Sequence, residues 1–225
     1  MGRGTKYDTS GLLESQYQQG SRGRVLRNLC GIKSKRQMDA LEAQELLRAL
    51  KNLAGQYGED HRFTAADICR MHKTWLGGIY PWAGQYRQVN ISKGSFPFAA
   101  AAQIPRLMDE FEKKILGRHT PCRSKSRHDA AYDLAIVHTE LILIHPFREG
   151  NGRLARLLAV LMALQAGLPP LDFGLLKGKK RQGYFAAVQA GMDCNYEPMT
   201  RIFSEVIDRS LKTSRPLSAS GTARR

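Results

Sequence analysis

No stretch of this 225-residue chain holds the ~18 consecutive apolar residues that a membrane-crossing helix needs, which argues against an integral membrane protein. The opening residues, Met1-Gly2-Arg3-Gly4-Thr5-Lys6, run into no apolar h-region, so no secretory signal is expected. Cysteine is scarce and scattered. Cys30, Cys69, Cys122 and Cys194 form no C-x-x-C pair, which speaks against a disulfide frame or a zinc site and for reduced thiols in a cytoplasmic protein. Internal repeats are lacking, and 225 residues suit one compact domain with appendages. Acidic residues are also few: twenty Asp and Glu stand against thirty-five Lys and Arg, a formal net charge of +15. Such an excess suits a polyanionic partner. No recognised DNA- or RNA-binding module accompanies it, which argues against nucleic acid. A solvated basic surface, a phosphate-rich substrate or an acidic protein partner accounts for the charge as well.

What is present is helical patterning around one dense motif. The spacing of Met38, Leu41, Leu46, Leu50 and Leu53 predicts an amphipathic helix over 35–53. Thr64 before Ala65-Ala66-Asp67 reads as a helix start, with Ile68, Met71, His72 and Trp75 on its inner face. Further helices are expected over 104–115 beside Pro105, over 130–144, over 154–166 and over 199–211, and one opening at Lys180 and running to about Gly191. The 154–166 segment is apolar nearly all round, as a central helix is, and should stop at Gly167 before Pro169-Pro170. Between turn signals, Gln88 to Ser92 alternates apolar and polar residues and reads as a hairpin arm. Residues 1–33 read as an irregular arm, 34–212 as the main domain with its core over about 60–210, and 213–225 as a disordered basic tail.

The motif is His145-Pro146-Phe147-Arg148-Glu149-Gly150-Asn151-Gly152-Arg153-Leu154-Ala155-Arg156, placed between two buried helices. An imidazole titrates near neutrality and can accept a proton. A carboxylate can hold a hard cation. A Gly-Asn-Gly turn at a helix N-terminus offers unpaired N–H groups and the positive end of the dipole to an anion. Arg153 and Arg156, three apart, can reach the same anion from one helix face. This is an inventory for moving a phosphate-linked group onto a hydroxyl. The other histidines, including His138 seven residues upstream, show no metal-ligand spacing and read as ordinary core or surface residues.

His-Pro-Phe-x-Asp/Glu-Gly-Asn-Gly-Arg-x-x-Arg resembles the signature of the Fic family (Fic/Doc, or Fido, fold), with Glu149 in the acidic slot and every position matched. The resemblance implies an all-α fold with a central motif helix and a short β-hairpin flap. It also implies a protein adenylyltransferase that moves AMP from ATP to a Ser, Thr or Tyr hydroxyl. In that scheme His145 is the general base and Glu149 the magnesium ligand. Gly150, Asn151 and Gly152 form the anion hole, Arg153 meets the β-phosphate side and Arg156 the γ-phosphate, while Phe147 anchors the loop. Gly84-Gln85-Tyr86-Arg87 resembles the segment that precedes the flap, so Ile91, Ser92 and Lys93 would line the target's register by strand addition. Tyr184 is the first candidate for packing on the base and Tyr196 the second; a plain core tyrosine is the other reading of either. The family also contains an inhibitory Ser/Thr-x-x-x-Glu helix. Ser10-Gly11-Leu12-Leu13-Glu14 resembles it, departing at the next position, Ser15, which implies a Glu14–Arg156 pair that blocks the γ-phosphate; the alternatives are a separate antitoxin-like chain or no inhibitor. Two other functions stay open: transfer of another nucleotide monophosphate, and a catalytically silent binding or toxin-complex module.

Overall fold

The structure, a computed structural model, describes residues 11–94, 96–124, 126–176 and 178–214. Its helices are α1 (Lys35–Gln56), α2 (Ala65–Leu76), α3 (Ile104–Glu110), α4 (Arg127–Ile144), α5 (Asn151–Gln165), α6 (Lys179–Ala190) and α7 (Glu197–Ser214). A two-stranded antiparallel hairpin, β1 (Ser92–Lys93) with β2 (Phe96–Pro97), is the only sheet among the described residues. The all-α class is as expected.

Local chemistry explains the boundaries. Thr64 caps α2 reciprocally: its Oγ1 accepts the Asp67 N–H at 3.1 Å, and Asp67 Oδ2 accepts the Thr64 N–H at 3.0 Å. Ser126 caps α4 by accepting the Asp129 N–H. Beyond α3 the chain continues through a π-helical segment, Phe111–Leu116, into a last turn, Gly117–His119. The 104–115 expectation therefore holds in position but not in hydrogen-bond period. α7 runs to Ser214, past the expected tail boundary at 213, and residues 215–225 lie outside the described set.

α5 is buried through most of its length: Leu154, Ala155, Leu158, Met162 and Ala163 are fully buried, with α4, α2 and α1 packed on it, while α4 also carries α7. Burying each such leucine is worth ~1.5–3 kcal/mol, so neighbouring elements are held where this helix puts them. The described part of the arm, 11–33, joins that core: it holds a short 3₁₀ turn and one isolated bridge between Tyr17 and Leu26, and Val25 and Leu26 are buried.

The hairpin arm expected over 88–92 sits further along. Only Ser92↔Pro97 and Lys93↔Phe96 pair as strands; residues 88–91 are irregular, with a bend at Val89, and Ile91 O accepts the Phe98 N–H at 3.2 Å. Alternation there reflects a leg with Val89 buried, not a ladder.

Candidate active site

The motif forms the loop between α4 and α5. His145 ends α4 in the left-handed region (φ 53°, ψ 58°), with its N–H on Leu141 O. Gly150 starts α5, also left-handed (φ 84°, ψ −2°). A Cβ at Gly150 would stand 2.7 Å from the Trp75 ring, so glycine is needed there for both conformation and space. Gly152 differs: a Cβ would meet only Ile142 Cδ1 at 4.0 Å, so its missing side chain serves the cleft it lines and not the packing.

Three groups the sequence reading undervalued hold the loop. Asn151, expected in the anion hole through the N–H groups of its turn, has a side chain that is buried and turned inward. Its Oδ1 accepts the Phe147 N–H at 2.9 Å and its Nδ2 donates to Phe147 O at 2.8 Å. Only its backbone N–H remains for an anion. As the first two residues of α5, Asn151 and Gly152 have no intrahelical acceptor, so both N–H groups are available. His72, given no role from sequence, stacks on Phe147 at 4.0 Å. Its Nδ1 accepts the Gly84 N–H, so its Nε2 carries the proton and donates to Glu149 O at 3.1 Å. Burial lowers its pKa to about 4, which keeps it neutral for that task. Arg87, only 1% exposed, donates Nε to His145 O at 2.8 Å, Nη1 to Val89 O at 2.7 Å and Nη2 to Ala99 O at 2.6 Å. It thereby ties both legs of the hairpin to the motif loop.

A cleft of about 980 Å³ opens over this loop. It brings together His145, Glu149, Gly150, Asn151, Gly152, Arg153, Arg156, Tyr184 and the hairpin residues Ile91, Ser92 and Lys93. His145 Nδ1 lies 3.0 Å from Ile142 O. A carbonyl only accepts, so Nδ1 bears the proton and Nε2 is bare. Desolvation, the largest cause, lowers the imidazole pKa to about 4. The group is thus a neutral proton acceptor at pH 7.

Glu149, 44% exposed, accepts the Gly150 N–H on Oε1 at 2.9 Å and faces Arg153 Nη2 at 3.3 Å. Arg153 also pairs with the buried Glu42 on α1 at 2.7 Å and lies over the Trp75 ring. Arg156 has no carboxylate partner among the described residues, and burial lowers its pKa. The cleft's other carboxylate, Asp39, is paired with Lys35.

The expected Glu14–Arg156 pair is not formed. Glu14 is buried in a short 3₁₀ turn (Leu13–Ser15), its Oε1 accepts the Gln88 N–H at 2.6 Å, and its carbonyl accepts from Arg148 Nε at 2.9 Å. It braces the base of the hairpin instead, and it is committed to that amide. Ser10 lies outside the described residues. Tyr184 lines the cleft, and its hydroxyl shares a 2.7 Å hydrogen bond with the buried His138. Tyr196 bonds Glu140 and does not line the cleft, which removes the second candidate.

Comparison with known proteins follows from this geometry. Residues 62–163 match the model of the Fic/DOC family. A relative from Drosophila ananassae, named protein adenylyltransferase Fic, is 27% identical over 164 residues, 72% of this chain and 31% of the relative. The chain thus spans about a third of the length of such curated relatives. Among solved structures, the ADP-bound N-terminal Fic domain of a VirB-translocated Bep effector from Bartonella quintana is similar with TM-score 0.64 and 28% identity, covering 80% of this chain and 89% of that one. BepC of Bartonella tribocorum with bound AMPPNP shares the fold at TM-score 0.65 and 23% identity, covering 80% of this chain and 91% of that one.

Proposed function

We propose, from the match of residues 62–163 to the Fic/DOC family, that the chain transfers AMP from ATP to a Ser, Thr or Tyr hydroxyl of a target protein, releasing pyrophosphate. The observation that carries this reading is the imidazole of His145. Its Nδ1 is tethered to Ile142 O and its Nε2 is bare, in the same cleft as Arg153, Arg156 and the N-terminus of α5. Nε2 takes the hydroxyl proton as the oxygen attacks the α-phosphorus in line. The N–H groups of Asn151 and Gly152, with Arg153 and Arg156, hold the phosphates and the charge that gathers on the departing pyrophosphate. Arg156 can receive the γ-phosphate without displacing a carboxylate.

The donor set fits magnesium. Glu149 keeps one carboxylate oxygen uncommitted, and one protein carboxylate plus phosphate oxygens is an ordinary arrangement for that ion. Bound there, magnesium would neutralise phosphate charge and orient the chain of phosphates. Ile91, Ser92 and Lys93 offer the exposed edge on which a target segment adds as a strand. Among the described residues no carboxylate pairs with Arg156, so a separate antitoxin-like chain stays the alternative to residues 10–14, beside no inhibition at all.

Leu176, Tyr184, Phe185 and Val188 give the cleft an apolar stretch that would receive the base, with Gln189 beside them as a polar group able to read a base edge. Apolar walls discriminate bases weakly, so UTP and GTP belong beside ATP in the assay. The test uses ATP labelled at the α- or the γ-phosphate, a lysate, and the chain with and without His145→Ala. The α-label should transfer to protein and the γ-label should not, and the substitution should cost about 10²–10⁴-fold. Transfer of the γ-label, or full activity without the imidazole, refutes the reading.

A further inference from the structure

The imidazole of His145 has one polar tether, Nδ1 to Ile142 O at 3.0 Å. A single hydrogen bond sets a pivot but leaves the ring plane free to turn about it. The plane is set by a contact that the proposed chemistry does not use. The Phe98 ring lies on the imidazole with centroids 3.6 Å apart and planes 20° from parallel. Phe98 is half-buried, lines the cleft, and is itself fixed. Its N–H donates to Ile91 O at 3.2 Å across the hairpin, Phe96 packs edge-on against its ring at 5.5 Å, and the next residue, Ala99, is gripped by Arg87.

We propose that Phe98 is a positioning residue for the transfer reaction: its ring, carried on the outgoing leg of the hairpin, fixes the plane of the His145 imidazole so that Nε2 faces the hydroxyl presented on the incoming leg. This rests on the function proposed above. The hairpin then does two jobs. Ile91, Ser92 and Lys93 hold the target segment, and Phe98, hydrogen-bonded to Ile91, holds the group that accepts its proton. One element sets both ends of the proton transfer, so their separation is fixed by the hairpin's own geometry. The step is a transfer from the target hydroxyl to Nε2 as the new P–O bond forms and the bond to pyrophosphate breaks. Phe98 takes no part in that bond exchange. It removes the rotational freedom that would otherwise take Nε2 out of line, and misplacement of a reacting group by about 1 Å costs ~10²-fold.

The test separates the ring contact from the chemistry. Phe98→Ala and Phe98→Leu are compared with the wild type by steady-state kinetics and by NMR of the His145 ring protons; Phe98→Tyr serves as the conservative variant. The leucine variant keeps apolar bulk but cannot stack, so it remains informative where the alanine variant folds poorly. Loss of kcat by roughly 10–100-fold is expected for Ala and Leu with the KM for ATP unchanged, and recovery is expected with Tyr. The His145 ring protons, shielded by the stacked aromatic ring, should move downfield in the Ala and Leu variants. An undiminished kcat in both, or ring-proton shifts that do not change, overturns the role of Phe98. A rise in KM for ATP with kcat intact also overturns it, because the ring would then serve the nucleotide and not the base. No transfer by the wild type overturns the function itself.

Discussion

Arg87 gives the sharpest test of how the site is assembled. Its guanidinium is buried, and its nearby carboxylate, Glu14, acts on it through charge without a direct bond to it. The guanidinium is satisfied by three carbonyls, those of His145, Val89 and Ala99, at 2.8, 2.7 and 2.6 Å. A hydrogen bond from a charged donor is worth ~1.5–3 kcal/mol, and an orphaned buried acceptor adds to the loss. Arg87→Lys replaces a planar fork by a point donor that can serve one of these carbonyls well. Two bonds lost cost roughly 3–6 kcal/mol. For a chain of this size each kcal/mol lowers Tm by about 2–4 °C, so a fall of roughly 6–24 °C is expected. Arg87→Met separates bonding from space-filling: it keeps most of the volume and no donor, and should be at least as damaging. Thermal unfolding by circular dichroism reads both, and hydrogen exchange at the Phe98 amide reads the hairpin directly. A Met variant that melts within 2–3 °C of the wild type, with Phe98 still protected, would show that the arginine merely fills a hole and that the hairpin is held by something else.

Two further outcomes follow from the same contacts. Glu14→Gly removes the acceptor of the Gln88 N–H and should lower Tm by about 3–10 °C without raising automodification; a gain in labelled self-product would restore the inhibitory reading of Glu14. The second concerns pH. His72, His138 and His145 have pKa values lowered from 6.5 to about 4, about 3 and about 4, chiefly by burial. Between pH 6.5 and 4 the unfolded chain binds protons that the folded chain refuses, so stability is full above 6.5 and is lost as pH falls, by up to ~1.4 kcal/mol per pH unit for each group. Activity should show no acidic inflection near 6.5 and should decline only toward pH 4. A kcat/KM profile with a limb at 6.5 that vanishes in His145→Ala would contradict the buried, tethered imidazole.

What could be read from the sequence was chemistry confined to a few neighbouring residues. The capping of α2 by Thr64 and Asp67 spans three positions, and the motif loop spans twelve, so propensity and spacing sufficed. The contacts that aim those groups are distant in the chain. His72 reaches Glu149, Trp75 reaches Glu42, His138 reaches Tyr184 and Phe98 reaches His145. No periodicity encodes such pairs, because an amphipathic pattern says that a side chain faces inward and not what it meets there. The same limit applies to two polar residues. Asn151 stands in a turn whose backbone can bind an anion, and sequence could not reveal that its amide is consumed by Phe147. Glu14 matches a pattern whose meaning depends on where the arm docks, and the arm docks beneath the hairpin, beside Arg148 and Gln88. A carboxylate's role is set by the nearest donor, and here the Gln88 amide lies where the inhibitory reading needed Arg156. Among the described residues the cleft therefore keeps Arg156 without a carboxylate partner. With a net charge of +15, capture of a nucleotide under the proposed function should weaken as salt is raised, read as a rising KM for ATP; a KM that does not respond to salt would contradict it.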